Sequence, residues 1–253
     1  ASEDMAAAAK HHRETTDART LTQMRTTRIR IALMHRMAPW HAWPDRDNPR
    51  PSGPFLLPNR TPNAMAKLFW RYGAMAAGKT LALLGVAHNY ERLGRSVTLY
   101  TAQLDDRYGE GVVGTRLGLQ RPARTFSPAT RFSAAELPPD TACVLIDEAQ
   151  FLTTVQVREL HRMAVLQGVP VICYGLRTDF QGNGFEGAAA LGLLADQIEE
   201  LKTVCGCGRK ASFNVRLDAE GRRVREGEQV AIGGDAQYHA ACPHSFYTER
   251  CKD

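Results

Sequence analysis

Residues Gly73-Ala74-Met75-Ala76-Ala77-Gly78-Lys79-Thr80 fit the pattern G-x-x-x-x-G-K-[ST]. The chemistry this pattern serves is polyphosphate binding. Gly73 and Gly78 let backbone N–H groups curl around phosphate oxygens with no Cβ in the way. A helix starting at the end of the loop points its positive dipole end at the same oxygens. Lys79 supplies a point charge for the β- and γ-phosphates, and the Thr80 hydroxyl can ligate Mg²⁺.

Two acidic groups of residues complete the candidate chemistry. Asp147-Glu148-Ala149-Gln150 closes the apolar run TACVLI. An Asp at the end of such a strand, beside a phosphate loop, can hold Mg²⁺ directly or through water. Glu148 is the next residue and must point another way, where it can accept a nucleophile's proton. Asp105-Asp106-Arg107-Tyr108 follows the strand-like run SVTLYT. There Asp105 can assist the metal, and Arg107 can neutralise charge on a transferring phosphoryl group.

These groups need a scaffold that brings them to one edge. KLFWRY (67–72) reads as a strand before the loop, and LALLGVAHNYERLG as a helix of about 13 residues stopped at Gly94. Thr141–Ile146 and Val169–Tyr174 read as buried parallel strands, with an amphipathic helix between them that starts after Thr153-Thr154 and stops at Gly168. The alternation of strand and helix predicts a parallel sheet with right-handed crossovers. After the last of these strands, GLRTDFQGNGFEG has four glycines and two phenylalanines, and reads as a substrate lid with apolar anchors.

The tail has Cys205-Gly-Cys207-Gly, and Cys242-Pro-His244 lies 35 residues further on. Between them ASFNVRL and RRV flank Asp218-Ala-Glu-Gly221, a hairpin signal. Two knuckles joined by hairpins suggest a zinc ribbon, although both spacings are one residue tighter than usual; free buried thiols are the alternative. Cys251 is near the terminus and is not expected to ligate. Cys143 and Cys173 lie inside strands and read as core.

Composition limits the function classes. The 253 residues are 43% hydrophobic and 23% charged, the range of globular proteins. No apolar run is long enough to cross a membrane as a helix. Six cysteines are too few for a disulfide scaffold, which favours a reducing compartment. Of the net charge of +5, residues 1–64 carry +4 and the remaining 189 residues +1. A nearly neutral body lacks the electrostatic footprint of a nucleic-acid-binding face. Seven of the thirteen prolines lie between Pro39 and Pro62, which reads as an unstructured linker. Leu21–Met37 is Arg-rich and could form a short amphipathic helix. A targeting peptide is disfavoured by Glu3, Asp4, Glu14 and Asp17. Residues 1–64 are therefore expected to be a disordered or expression-derived basic extension, with Met65 a plausible natural start.

Taken in order, GAMAAGKT, Asp105 and Arg107, DEAQF, the glycine-rich lid and the Cys/His tail resemble the zinc-containing (type II) thymidine kinase family, closest to its bacterial branch. The likeness runs over about residues 65–250 and includes CYGLRTDF, CGRKAS and EGEQV. It implies an α/β fold: a P-loop (RecA-like) parallel sheet flanked by helices over 65–200, and a small zinc-ribbon domain over 201–253 carrying a lasso-like substrate loop. It implies transfer of the ATP γ-phosphate to the 5′-hydroxyl of thymidine, and more weakly of deoxyuridine, giving dTMP in nucleotide salvage. Residues 73–80, Asp147 and Gln150 would bind ATP. Thr80, Asp105 and Asp147 would serve Mg²⁺. Glu148 would be the general base and Arg107 would stabilise the transferring group. Met75, Phe151, Phe180 and Tyr238 would line the thymine pocket, with residues 176–187 as the lasso. Zn²⁺ would be held by Cys205, Cys207, Cys242 and His244, the family's own fourth position falling on Ser245. The family further implies a cytoplasmic homotetramer inhibited by dTTP, with no nucleic-acid or membrane partner.

A rival reading is a P-loop ATPase acting on nucleic acid through a zinc ribbon, since DEAQ resembles the acidic motif of helicases. Against it stand the near-neutral body and a length that provides one motor domain rather than two.

Overall fold

The computed structural model describes residues 66–230 and 238–248. The expected helix at Leu21–Met37, the Pro-rich linker and Cys251 lie outside them. The described elements run β1 (Leu68–Tyr72), α1 (Lys79–Arg92), β2 (Ser96–Ala102), β3 (Val112–Gly114), β4 (Gln120–Pro122), β5 (Arg124–Phe126), β6 (Thr141–Ile146), α2 (Thr154–Gln167), β7 (Val171–Gly175) and α3 (Glu186–Leu194). They continue with β8 (Gln197–Glu200), β9 (Thr203–Val204), β10 (Lys210–Ala211), β11 (Phe213–Leu217), β12 (Arg223–Val224), β13 (Tyr238–Ala241) and α4 (Pro243–Thr248).

Six strands form one sheet in the order β5-β2-β6-β7-β1-β8, and every pairing is parallel. The continuous apolar runs are explained by burial on both faces. Along β6, Val144 and Ile146 enter one core, while Cys143 and Leu145 enter the other. Along β7, Val171 and Cys173 face the first core, and Ile172 and Tyr174 the second. The first core packs under Val157, Leu160 and Met163 of α2, the second under Leu83, Leu84 and Ala87 of α1. Burial pushes the Cys143 thiol up to about 12 and also raises that of Cys173, so both sit as unreactive core groups, as expected.

The expected elements are present, with shifts at their ends. β7 begins at Val171 rather than Val169 because Pro170 has no N–H for the ladder; its carbonyl instead accepts from Val144 N–H at 2.9 Å. Thr153 caps α2 in a capping box with Gln156, and Gly168 ends the helix at φ 68°. The hairpin at Asp218–Gly221 forms between β11 and β12, with Gly221 at φ 77°.

The parallel arrangement puts the carboxyl ends of β1, β2, β6 and β7 on one side of the sheet, where ligands of such sheets bind. β7 lies between the strand feeding the phosphate loop and the strand ending in the acids. The ribbon follows β8. β9 and β10 form a hairpin around Cys205 and Cys207, and β11 pairs antiparallel with β12 and β13.

Two glycines test the packing. A Cβ on Gly187, at the start of α3, would meet the carbonyl oxygens of Leu152, Ala149 and Gln150 at 2.6–2.8 Å. Gly85, inside α1, has nothing within 4 Å of its Cβ position. Gly187→Ala is expected to destabilise by ~1–3 kcal/mol, whereas Gly85→Ala is expected to stabilise by up to ~1 kcal/mol. Denaturant unfolding of the two variants beside the parent checks the opposite signs.

Candidate active site

The phosphate loop is shaped by crowding as well as by dihedral angle. A Cβ on Gly73 would stand 2.5 Å from the Leu201 carbonyl and 2.8 Å from the Ala77 Cβ. Gly78 takes φ 73°, which a side chain would resist, and α1 begins at the next residue. The Lys79 ammonium folds back on the loop and donates to the Gly73 and Ala74 carbonyls at 3.3 and 3.1 Å.

Asp147 and Glu148 diverge. The Thr80 hydroxyl donates to Asp147 Oδ2 at 2.9 Å, so Asp147 faces the phosphate loop. Glu148 takes a left-handed conformation, φ 51°, which is uncommon for a residue with a side chain. That turn sends its carboxylate the other way, where Arg107 Nη2 donates to Oε1 at 2.7 Å and Gln150 Nε2 to Oε2 at 2.6 Å. Arg107 also donates to both oxygens of Asp105, at 2.6 and 3.0 Å. One guanidinium therefore spans the exits of β2 and β6.

Asp147 is 3% exposed, and its Oδ1 is buried with no hydrogen-bond partner. Such a carboxylate fits a cation as its partner. Burial pushes its carboxyl up to about 7; Glu148 adds to the rise, and Thr80 and Lys79 oppose it.

Two cavities open at this edge. One follows the phosphate loop from Met75 to Leu81 and is closed by Arg107, Tyr108, Glu148 and Gly114–Leu117 of the β3–β4 hairpin. The other is lined by Phe151, Phe180, Phe185, Asn214 and Tyr238, and also by Glu148 and Arg107. Met75, Arg107 and Glu148 line both.

All four residues expected in the base pocket line the second cavity. The lid contributes Leu176, Asp179, Phe180 and Phe185, and Gln229, Val230 and Tyr238 also line the cavity. Asp179, Asn214, Gln229 and Val230 line it as well, beyond the residues expected from the sequence. The EGEQV phrase was the signal available for Gln229 and Val230. Gln150, expected to contact ATP, lies outside the phosphate-loop cavity. Its amide is committed to Glu148 and, through Oε1, to Leu176 N–H at 3.0 Å. Asp105, expected near the metal, also lines the second cavity and is held by Arg107.

In the ribbon, the sulfur atoms of Cys205, Cys207 and Cys242 lie within 4.8 Å of one another. Cys207 and Cys242 are 3.8 Å apart. This is the separation of two thiolates on one tetrahedral Zn²⁺, given a bond length of about 2.3 Å. Ser245 N–H donates to the Cys242 sulfur at 3.4 Å. His244, the expected fourth ligand, is outside the thiol group. α4 starts at Pro243 and turns the imidazole toward Thr248, whose hydroxyl lies 3.1 Å from Nδ1.

Comparison with known proteins shows the family. The family model for thymidine kinase matches residues 66–246. The chain belongs to the thymidine kinase family. The thymidine kinase of Chromobacterium violaceum is 54% identical over 183 residues, 72% of this chain and 99% of that protein. That of Albidiferax ferrireducens is 55% identical over 185 residues, 73% of this chain and 94% of that protein. Among solved structures, Bacteroides Pif1 bound to single-stranded DNA aligns with a TM-score of 0.34 and 17% identity, over 55% of this chain and 39% of that one. Membership of an ATP-using kinase family sets the nucleic-acid ATPase reading aside.

The raised carboxyl of Asp147 gives a testable pH dependence. Between its ordinary 3.8 and about 7, the unfolded chain releases a proton that the native protein keeps. Native stability therefore falls as pH rises through that window and levels off above it. Asp147→Asn is expected to lose this decline and to melt above the parent at pH 8 without divalent cations. Mg²⁺ should stabilise the parent there and leave the variant unmoved; thermal melts at pH 5 and 8 check both.

Proposed function

We propose that the protein transfers the γ-phosphate of ATP to the 5′-hydroxyl of thymidine, with Glu148 accepting the hydroxyl proton. The observation that carries this reading is the junction of the two cavities at Met75, Arg107 and Glu148. A nucleoside whose base lies among Phe151, Phe180 and Tyr238 directs its 5′ end toward Glu148. A nucleotide whose phosphates lie along Gly73–Thr80 directs its γ-phosphate toward the same point.

Each residue then has a task. The loop backbone and Lys79 hold the phosphates. Arg107, already shared between Asp105 and Glu148, turns its charge to the transferring group. Gln150 keeps Glu148 in place and ties it to the lid at Leu176. The 5′-hydroxyl proton passes to a Glu148 oxygen as the oxygen–phosphorus bond forms and the bond to ADP breaks. Thr80 and Asp147 would hold Mg²⁺, which neutralises phosphate charge when bound. Asp105 would serve it less directly. The three cysteines would hold Zn²⁺, which staples the ribbon that carries one wall of the base pocket.

The adjoining cavities also support feedback by dTTP, which carries a thymidine end and a triphosphate end in one molecule. The buried free thiols are in keeping with a reducing cytoplasm. The homotetramer is carried on the family resemblance.

Two measurements test the reading. ADP release from Mg-ATP should depend strongly on thymidine, and Glu148→Gln should lower kcat by about 10²–10⁴-fold. Thymidine-independent turnover raised by single-stranded DNA would reverse the conclusion. Deoxyuridine should be used with a kcat/KM about tenfold or more below thymidine, since one methyl-sized group in an apolar pocket gives that order of discrimination. Equal efficiency would rule out a snug fit around the methyl group.

A further inference from the structure

We propose that Asn214 is a tie between the two substrate sites, through which nucleoside and nucleotide binding reinforce each other. The inference rests on the reading that the loop at 73–80 holds ATP and the adjoining cavity thymidine. Asn214 lies on β11 of the ribbon and is 3% exposed. Its Oδ1 accepts from the Met75 N–H of the phosphate loop at 2.7 Å. Its Nδ2 donates to the Thr178 carbonyl of the lid at 3.2 Å. A donor on one side and an acceptor on the other fix which way the amide faces. One side chain therefore grips the backbone of both substrate-binding segments.

The lid end of this tie is stiff. Thr178 pairs with Gly184 across the lid. Asp179 N–H donates to the Asn183 carbonyl at 2.9 Å. The buried Asp179 carboxylate accepts from the Gln181 and Asn183 N–H groups and from Gln229 Nε2 at 3.0 Å. Residues 178–184 therefore move as a unit, and any displacement pulls at the Thr178 carbonyl. A buried amide that loses a partner is left unsatisfied. An outward lid thus either strands Nδ2 or draws Oδ1 away from Met75. Ligands that settle the lid on the base also settle the loop on the phosphates, and the converse follows by linkage. Asn214 also lines the cavity, but in this coupling it acts through the segments it holds, as a positioning residue.

The test is calorimetric titration of the full chain with Mg²⁺ and a non-hydrolysable ATP analogue, with and without saturating thymidine, and the reverse. In the parent each ligand should tighten the other about tenfold, and in Asn214→Leu, of similar size but without polar atoms, that factor should fall to about one. Asn214→Ser, shorter and unable to span both partners, should lose most of the coupling and serves if the leucine variant does not fold. A parent in which both ligands bind independently overturns the proposal. So do variants that weaken each ligand alone but keep the coupling factor, since that is a structural role only. A parent that binds one ligand or neither overturns the functional reading, and this inference with it.

Discussion

Two adjacent carboxylates at the end of one strand must face different partners. The chain meets this constraint in the backbone. With both residues extended, alternation would place Asp147 and Glu148 on opposite faces of the sheet, and neither arrangement would leave both at its edge. The left-handed turn at Glu148 instead keeps both at the carboxyl edge and splays them, one toward Thr80 and one toward Arg107. The neighbours are arranged to hold that turn. A Cβ on Gly175 would stand 2.4 Å from Gln150 Oε1, so β7 must end in glycine for Gln150 to reach Glu148. A Cβ on Gly187 would meet the carbonyls of Ala149, Gln150 and Leu152, so α3 must start without a side chain where it closes on the turn.

The sheet does the rest by topology. Because all six strands are parallel, every strand end that could carry chemistry emerges on one side. With β7 between β1 and β6, the lid leaves the sheet between the phosphate loop and the acids. The two cavities then share residues instead of merely lying near each other.

Most of this was legible where chemistry is written in consecutive residues. The glycine loop, the acid pair and Asp105-x-Arg107 announce themselves by type and spacing, and apolar runs such as TACVLI give their strands. Asn214 gave no such sign. It sits in FNVRL, an ordinary strand sequence, and its role comes from the way β11 passes the loop and the lid. Gln150 was visible, but its direction was not: the 3-10 turn at Ala149–Phe151 turns its amide toward β7. His244 is of a metal-binding type. The direction of its ring was decided by a helix that starts at Pro243, which spacing between cysteines does not encode. The short strands β3, β4, β9 and β10 have two or three residues each, too few for a hydrophobic period to show.

Residue 214 of the ribbon holds the backbone at residue 75 of the loop, 139 positions earlier in the chain. The ribbon is thus not a cassette that recombination could exchange freely between relatives. A donor ribbon that lacks the amide would arrive without its partner for the Met75 N–H, and a neutral change in one segment would become costly in the background of the other. Substrate range in this lineage is therefore expected to evolve through paired steps, with permissive changes in the ribbon preceding changes at the loop.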